Sequence, residues 1–342
     1  MKKIFIAALA IAALASCNKT EVVGVTESNA IAFDNAFVDN ATKSVNDPSF
    51  TNSNLFTDFA VYGFVEGAVL FDGTKVSKGI TNDKLQSAWK YEGTQYWIAD
   101  ANYNFNAVAP LTDANWAVVK EDADENVVTN ASQTTISFTN DGETDLLYAY
   151  ATAKGANEGN KEVKFNFRHV LSKVKFSFEN AYNATNATIR VKDITITNPH
   201  KTADVVLTAA TAWDNQTTAD GFKLAFGMAT DNEATTDAKE NVEVAYAFGK
   251  TYESQNELFL IPSATDYEYE VTFNVELLVS GTVVKTYAHT VKAKFAPAPG
   301  YSYDIKAVIN AENIDPAKAQ EPIEFTVNTL PDWGTANNVD AE

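Results

Sequence analysis

Val163-Lys164-Phe165-Asn166-Phe167-Arg168-His169-Val170-Leu171-Ser172-Lys173-Val174-Lys175-Phe176-Ser177-Phe178 decides the fold. Apolar and polar residues alternate over 163–168 and again over 174–178. A period of two places the apolar set on one face, as a half-buried strand requires. The same alternation runs through 271–277 and 323–328. Further strands are expected at 60–64, 103–109, 134–138, 189–197, 257–261, 282–289 and 302–308. Turn clusters such as Asn140-Asp141-Gly142 and Ala298-Pro299-Gly300 separate them. No long stretch carries a clean 3.6-residue period with caps, so helices should be few and short.

Short strands with one apolar face build antiparallel sandwiches. A chain of 342 residues is too long for one ordinary sandwich, so two in tandem are expected. The polar, Gly-containing stretch from Lys154 to Lys161 is the best linker. The expected organisation is therefore a signal peptide over 1–16, a tether and N-terminal strand over 17–43, and β-sandwiches over 44–160 and 161–342.

Composition narrows the function. The formal net charge is −19 with no basic stripe, which argues against nucleic-acid binding. Hydrophobic residues at 45% and aromatics at 12% speak for folded domains. A single Cys excludes an internal disulfide framework and a thiolate metal cluster. Three scattered His make a His-rich metal site improbable.

Met1-Lys2-Lys3 is a basic start, and residues 4–14 form an apolar run of signal-peptide length. Leu14-Ala15-Ser16-Cys17 then fits a lipobox, an aliphatic residue and two small ones before Cys. The only Cys of the chain sits where a diacylglycerol is attached before cleavage. The other reading is an ordinary secretory signal with a chance Cys. Asn18, in place of the Asp that favours inner-membrane retention, points to the outer membrane.

His169, His200 and His289 lie in neither a Gly-x-Ser-x-Gly nor a His-Glu-x-x-His context and read as structural or exposed. No local motif nominates a carboxylate pair for glycoside cleavage. The acidic stretches 121–125 and 140–145 offer oxygen ligands, but neither has EF-hand spacing. Solvated turns explain them better. Trp89, Tyr91, Tyr96, Trp97 and Trp116 would suit a sugar-stacking platform or, more simply, a core. No cofactor, metal or catalytic residue is expected.

Four features together resemble the fimbrillin family, the type V pilins. They are the lipobox at Cys17; Ala30-Ile31-Ala32-Phe33 followed by Ala41-Thr42-Lys43-Ser44; residues 103–110 and 145–149 leading into the Phe-x-His-x-Leu-Ser-Lys-Val run; and a closing strand at 323–327 before Trp333. The resemblance implies two transthyretin-like sandwiches that polymerise into fimbriae serving adhesion. It implies that a protease removes the N-terminal strand, and that a strand from another subunit fills the vacated groove. Lys43 becomes the candidate cleavage site and Ser44 the new N-terminus, with Ile31 and Phe33 as core residues of the lost strand. Ile323, Phe325, Val327 and Leu330 become donor-strand candidates. The best-known members are cut after Arg, whereas Arg168 and Arg190 are the only Arg here, both in strand patterns. Either a Lys-tolerant protease acts, or the strand stays in, as suits a subunit that ends a fibre. Lys43 equally reads as a solvated Lys, and 323–327 as a strand completing the second sandwich. The implied partners are other fimbrial subunits, the processing protease, the outer-membrane lipid anchor, and surface glycans or proteins. The alternative is a surface lipoprotein that binds glycans and never polymerises.

Overall fold

The computed structural model describes residues 29–38, 56–85, 87–111, 115–118, 134–155, 162–207, 212–227, 229–230, 246–314 and 323–330. Among them the regular structure is almost entirely strand. In order come β1 (Phe33–Val38), β2 (Asp58–Val65), β3 (Ala68–Ser77), β4 (Asn102–Ala109), β5 (Trp116–Val118), β6 (Thr134–Thr139), β7 (Leu147–Lys154) and β8 (Val163–His169). There follow β9 (Ser172–Asn180), β10 (Ala187–Ile196), β11 (Thr202–Leu207), β12 (Ala212–Thr217), β13 (Leu224–Ala225) and β14 (Ala229–Thr230). The chain continues with β15 (Thr251–Ser254), β16 (Leu258–Leu260), β17 (Tyr267–Val279), β18 (Thr282–Phe295), β19 (Ser302–Ile309), the helix α1 (Ala311–Ile314) and β20 (Phe325–Leu330).

The first unit is a six-stranded sheet in the order β1-β8-β7-β4-β2-β3. Its two edges meet through one loop: Phe33 of β1 bridges Trp89, and Ser77 of β3 bridges Lys90. The sheet therefore curls around its own inner face. That face holds Phe59, Phe71, Phe105, Phe165 and Phe167, none more than 2% exposed. The opposite face carries Ala60, Tyr62, Val108 and Tyr148 and is covered by a smaller sheet, β12-β11-β6-β5.

The second unit packs β13-β10-β17-β18 against β14-β15-β9-β19-β20, with β16 also paired to β9. Alternation sets its core. Tyr269, Val271, Phe273, Val275 and Leu277 of β17 point inward while Glu268, Glu270 and Asn274 do not. Ser280 and Gly281 join β17 to β18 with φ of 51° and 81°, the left-handed pair that a tight hairpin turn needs.

Two pairings depart from an all-antiparallel expectation: β1 runs parallel to β8, and β19 parallel to β9. Each joins segments separated by most of a unit, and no local pattern encodes such a neighbour. A cut at residue 160 leaves β8 with the second half, whereas its ladder partners β1 and β7 are in the first unit. The hairpin β11–β12, from beyond that cut, pairs through β11 with β6 of the first unit. The third core accordingly mixes Tyr62, Ile136 and Tyr148 with Leu171, Val205 and Ile261.

Candidate functional site

The N-terminal strand runs through the heart of the first unit. Ile31 and Phe33 are fully buried and Ala32 nearly so. The backbone enters between two supports. On one side Ile31 donates to Gln95 O at 2.8 Å, and Trp97 N donates to Asn29 O at 3.0 Å. On the other Val163 N donates to Ala32 O at 2.8 Å, opening the parallel ladder with β8. Side chains lock the same strand: Tyr91 OH donates to Ile31 O at 2.9 Å, and the Ser87 hydroxyl donates to Phe33 O.

Phe33 is the anchor. Its ring lies 5.4 Å from Phe71, 5.6 Å from Tyr91, 5.9 Å from Phe105 and 5.5 Å from Phe165. The apolar walls push the Tyr91 phenol up to about 12. At the strand's outer face Asp34 registers with Lys164 of β8. Burial and a hydrogen bond with Asp34 push the nearby Glu162 carboxyl above its usual range. Taking this strand away would leave an aromatic groove and unpaired groups on β8.

The C-terminal strand closes the second unit. β20 pairs antiparallel with β19 at the edge of its sheet. Ile323 is 3% exposed, and the Phe325 ring lies 5.7 Å from Phe176 and 5.9 Å from Phe273. Val327 packs on the same core. Leu330 has the opposite parity in an unbroken ladder, so it faces away from the Phe325 and Val327 side. Clefts of about 670 and 440 Å³ flank the entry of this strand. The first is lined by Lys306, Val308, Thr326 and Asn328, the second by Thr290, Lys292 and Phe325, and both touch Ile323 and Glu324.

Cys17, Lys43, Ser44, the 121–125 cluster and Trp333 lie outside the described residues. The aromatic cluster is core rather than platform: Trp89, Tyr91 and Trp97 are 5%, 1% and 5% exposed. Trp116 is half-buried and donates to Pro110 O at 2.8 Å. The histidines are packed into the structure. His169 sits 2.8 Å from Asp145, His200 packs 4.3 Å from the Tyr267 ring, and His289 stacks 5.4 Å from Phe273. Burial lowers the pKa of both His200 and His289. In the 140–145 loop Asp141 accepts from Glu143 N, Thr144 N, the Thr144 hydroxyl and Asn115 Nδ2, at 2.6–2.8 Å. Burial pushes its carboxyl up, but these bonds outweigh it and hold the group below the usual range. They make it a turn cap. Among the described residues no three acidic, His or Cys side chains gather as metal ligands. Of the residues that secure the N-terminal strand, Ser87 and Gln95 carry no local motif and emerge only from the fold, and Tyr91 is visible in the sequence only as a member of the aromatic cluster.

Fold and site define an all-β protein whose distinctive parts are its terminal strands. The chain belongs to the fimbrillin-like family, whose model matches residues 42–331. That membership assigns a structural, not an enzymatic, role. A prokaryotic membrane lipoprotein lipid attachment site matches residues 1–18. Among solved structures the chain is similar to a fimbrial protein from Bacteroides vulgatus. The two share 15% identity at a TM-score of 0.59, over 90% of this chain and 100% of that one. It is also similar to the fimbrial anchor protein Mfa2 from Porphyromonas gingivalis, at 12% identity and a TM-score of 0.38, over 88% and 96%. No curated protein matches.

Proposed function

We propose that the chain is a type V fimbrial subunit, exported as a precursor lipidated at Cys17, anchored in the outer membrane and assembled by strand exchange in the service of adhesion. The observation that carries this reading is the N-terminal strand: a single segment, Asn29 to Val38, whose side chains at Ile31 and Phe33 fill the first core. Five residues past β1 comes Lys43, where a protease would separate this strand from the rest of the chain. Its loss would expose Phe71, Tyr91, Phe105 and Phe165 together with an unpaired edge of β8. An incoming strand with alternating apolar residues satisfies both needs at once. Phe325 and Val327 share a face of β20, Ile323 packs on the same core just before it, and the three present that alternation. Leu330, on the other face, belongs outside such a groove. Because donor and groove lie on different parts of the surface, the contact is head-to-tail and propagates.

Intact-mass and N-terminal analysis of cell-surface material, run beside unheated and heated denaturing gels, tests the reading. The expected result is a mass beginning at Ser44 and a ladder that collapses on heating. A mass beginning at acylated Cys17 with no ladder would overturn strand exchange and leave a tethered monomer.

A further inference from the structure

β8 runs toward the junction, which Val170 and Leu171 span fully buried, and β9 runs away from it. In the first unit Ala109 and Leu147 are paired near that junction, while Asn102 pairs with Lys154 at the other end. Val65 pairs with Tyr103 there too, so the Glu66-Gly67 turn marks the end away from the junction. Asn29 enters at this same end, bonded to Trp97. The second unit's outermost turn, Ser280-Gly281, is at its own far end, since Ala187 pairs with Val279 and Ser280 N donates to Asn186 O.

Residues 18–28 are all that separate Cys17 from Asn29, a reach of at most about 40 Å when fully extended. The entry end also exposes two large aliphatic side chains, Ile98 at 57% and Val69 at 49%. Near them Glu66 accepts from Asn102 N at 2.6 Å and Nδ2 at 3.0 Å, and the exposed Asp100 lies 3.8 Å from the basic Lys154. The chain as a whole carries a formal net charge of −19, which disfavours laying a broad face on a surface of anionic lipid.

We propose that the unprocessed, lipid-anchored chain stands with its first unit against the bilayer, with Ile98 and Val69 in the headgroup region and the Ser280-Gly281 hairpin pointing outward. This rests on the acylation of Cys17 in the reading above. The partner is the surface of the membrane that holds the anchor. Apolar side chains gain from partial burial at that boundary, and the acyl chains supply the hold. The outward hairpin then displays Val279, Val283 and Val284, which are 39%, 41% and 56% exposed, away from lipid.

The test uses the full lipoprotein in vesicles of phosphatidylethanolamine and phosphatidylglycerol. Acylation consumes the only native thiol, so Ile98→Cys, Val69→Cys and Val284→Cys each offer one labelling position. All three side chains are exposed. A fluorophore at 98 and at 69 should be quenched by a lipid-borne quencher, and one at 284 should not. Equal quenching at the three positions, or none at 98 and 69, would overturn the orientation. Mass spectrometry of the same sample separates the two failures, since a Cys17 without acyl chains would remove the underlying reading and the orientation with it.

Discussion

Phe33 and Glu276 show two ways in which a single residue is held. Phe33 is held by ring contacts on several sides and makes no demand on charge. Glu276 sits on the outer face of β17 yet is only 5% exposed, bonded to Arg190 Nε at 2.7 Å and Lys192 Nζ at 2.5 Å on β10. Burial raises its pKa, but the bonds from Lys192 and Arg190 outweigh burial and leave it lowered. A carboxyl whose folded value lies below its unfolded one adds stability above the ordinary Glu range of about 4.3 and loses it as pH falls through the depressed value. Glu276→Gln should therefore be less stable than the native chain near neutral pH. The gap should close in acid, where the native carboxyl is protonated as well. Urea midpoints across that range check it, and a gap that stays constant with pH would show that the group is not held by charge.

Elements differ in how openly the sequence announces them. The alternations over 163–168, 174–178 and 271–277 are strands β8, β9 and β17, because period two is a local property of a half-buried strand. Their neighbours are not local. Nothing in 33–38 says that β1 lies parallel to β8, and nothing in 202–217 says that β11 joins β6. The apolar run 30–33 is legible locally, whereas the core places of Ile31 and Phe33 follow from the family resemblance. Its regular pairing begins only at Phe33, after a single bridge from Ala30 to Tyr96. Leu330 lies on the face opposite Phe325 and Val327, a parity that a count of apolar residues does not register. Turns can be tested more directly. Gly281 has φ of 81° with nothing within 4 Å of an added Cβ, so Gly281→Ala should cost only the backbone term, about 1 kcal/mol. At Gly142, φ 85°, the added Cβ would come 2.6 Å from the Leu224 side chain, which is buried. Gly142→Ala should therefore cost distinctly more than Gly281→Ala in the same denaturation assay. Equal costs would mean that Leu224 moves aside freely.

Across the whole molecule, two tandem sandwiches would suggest two independent folding units, but the junction argues otherwise. Val170 and Leu171 connect the units with no exposed linker. Around them, Phe259 N donates to Gly142 O at 2.9 Å, Asn140 Nδ2 to Phe259 O at 3.1 Å and Lys201 Nζ to Asn140 O at 2.7 Å. Trp213 Nε1 reaches Val170 O at 2.9 Å, and β11 is tied to β6 along the pairs Thr202–Thr139 to Leu207–Thr134. A chain cut at residue 160 would strip β8 from the first sheet and bare Tyr62, Ile136, Phe138 and Tyr148, whose cover includes Val205 and Ile261. Such exposure removes apolar burial worth roughly 1.5–3 kcal/mol per large side chain, against a domain stability of about 5–15 kcal/mol. Fragments 44–160 and 161–342 should therefore each fail to give a cooperative thermal transition, whereas the full chain should unfold in one calorimetric peak. Two separated peaks in the full chain, matched by folded fragments, would show instead that the shared core is incidental and that the units stand alone.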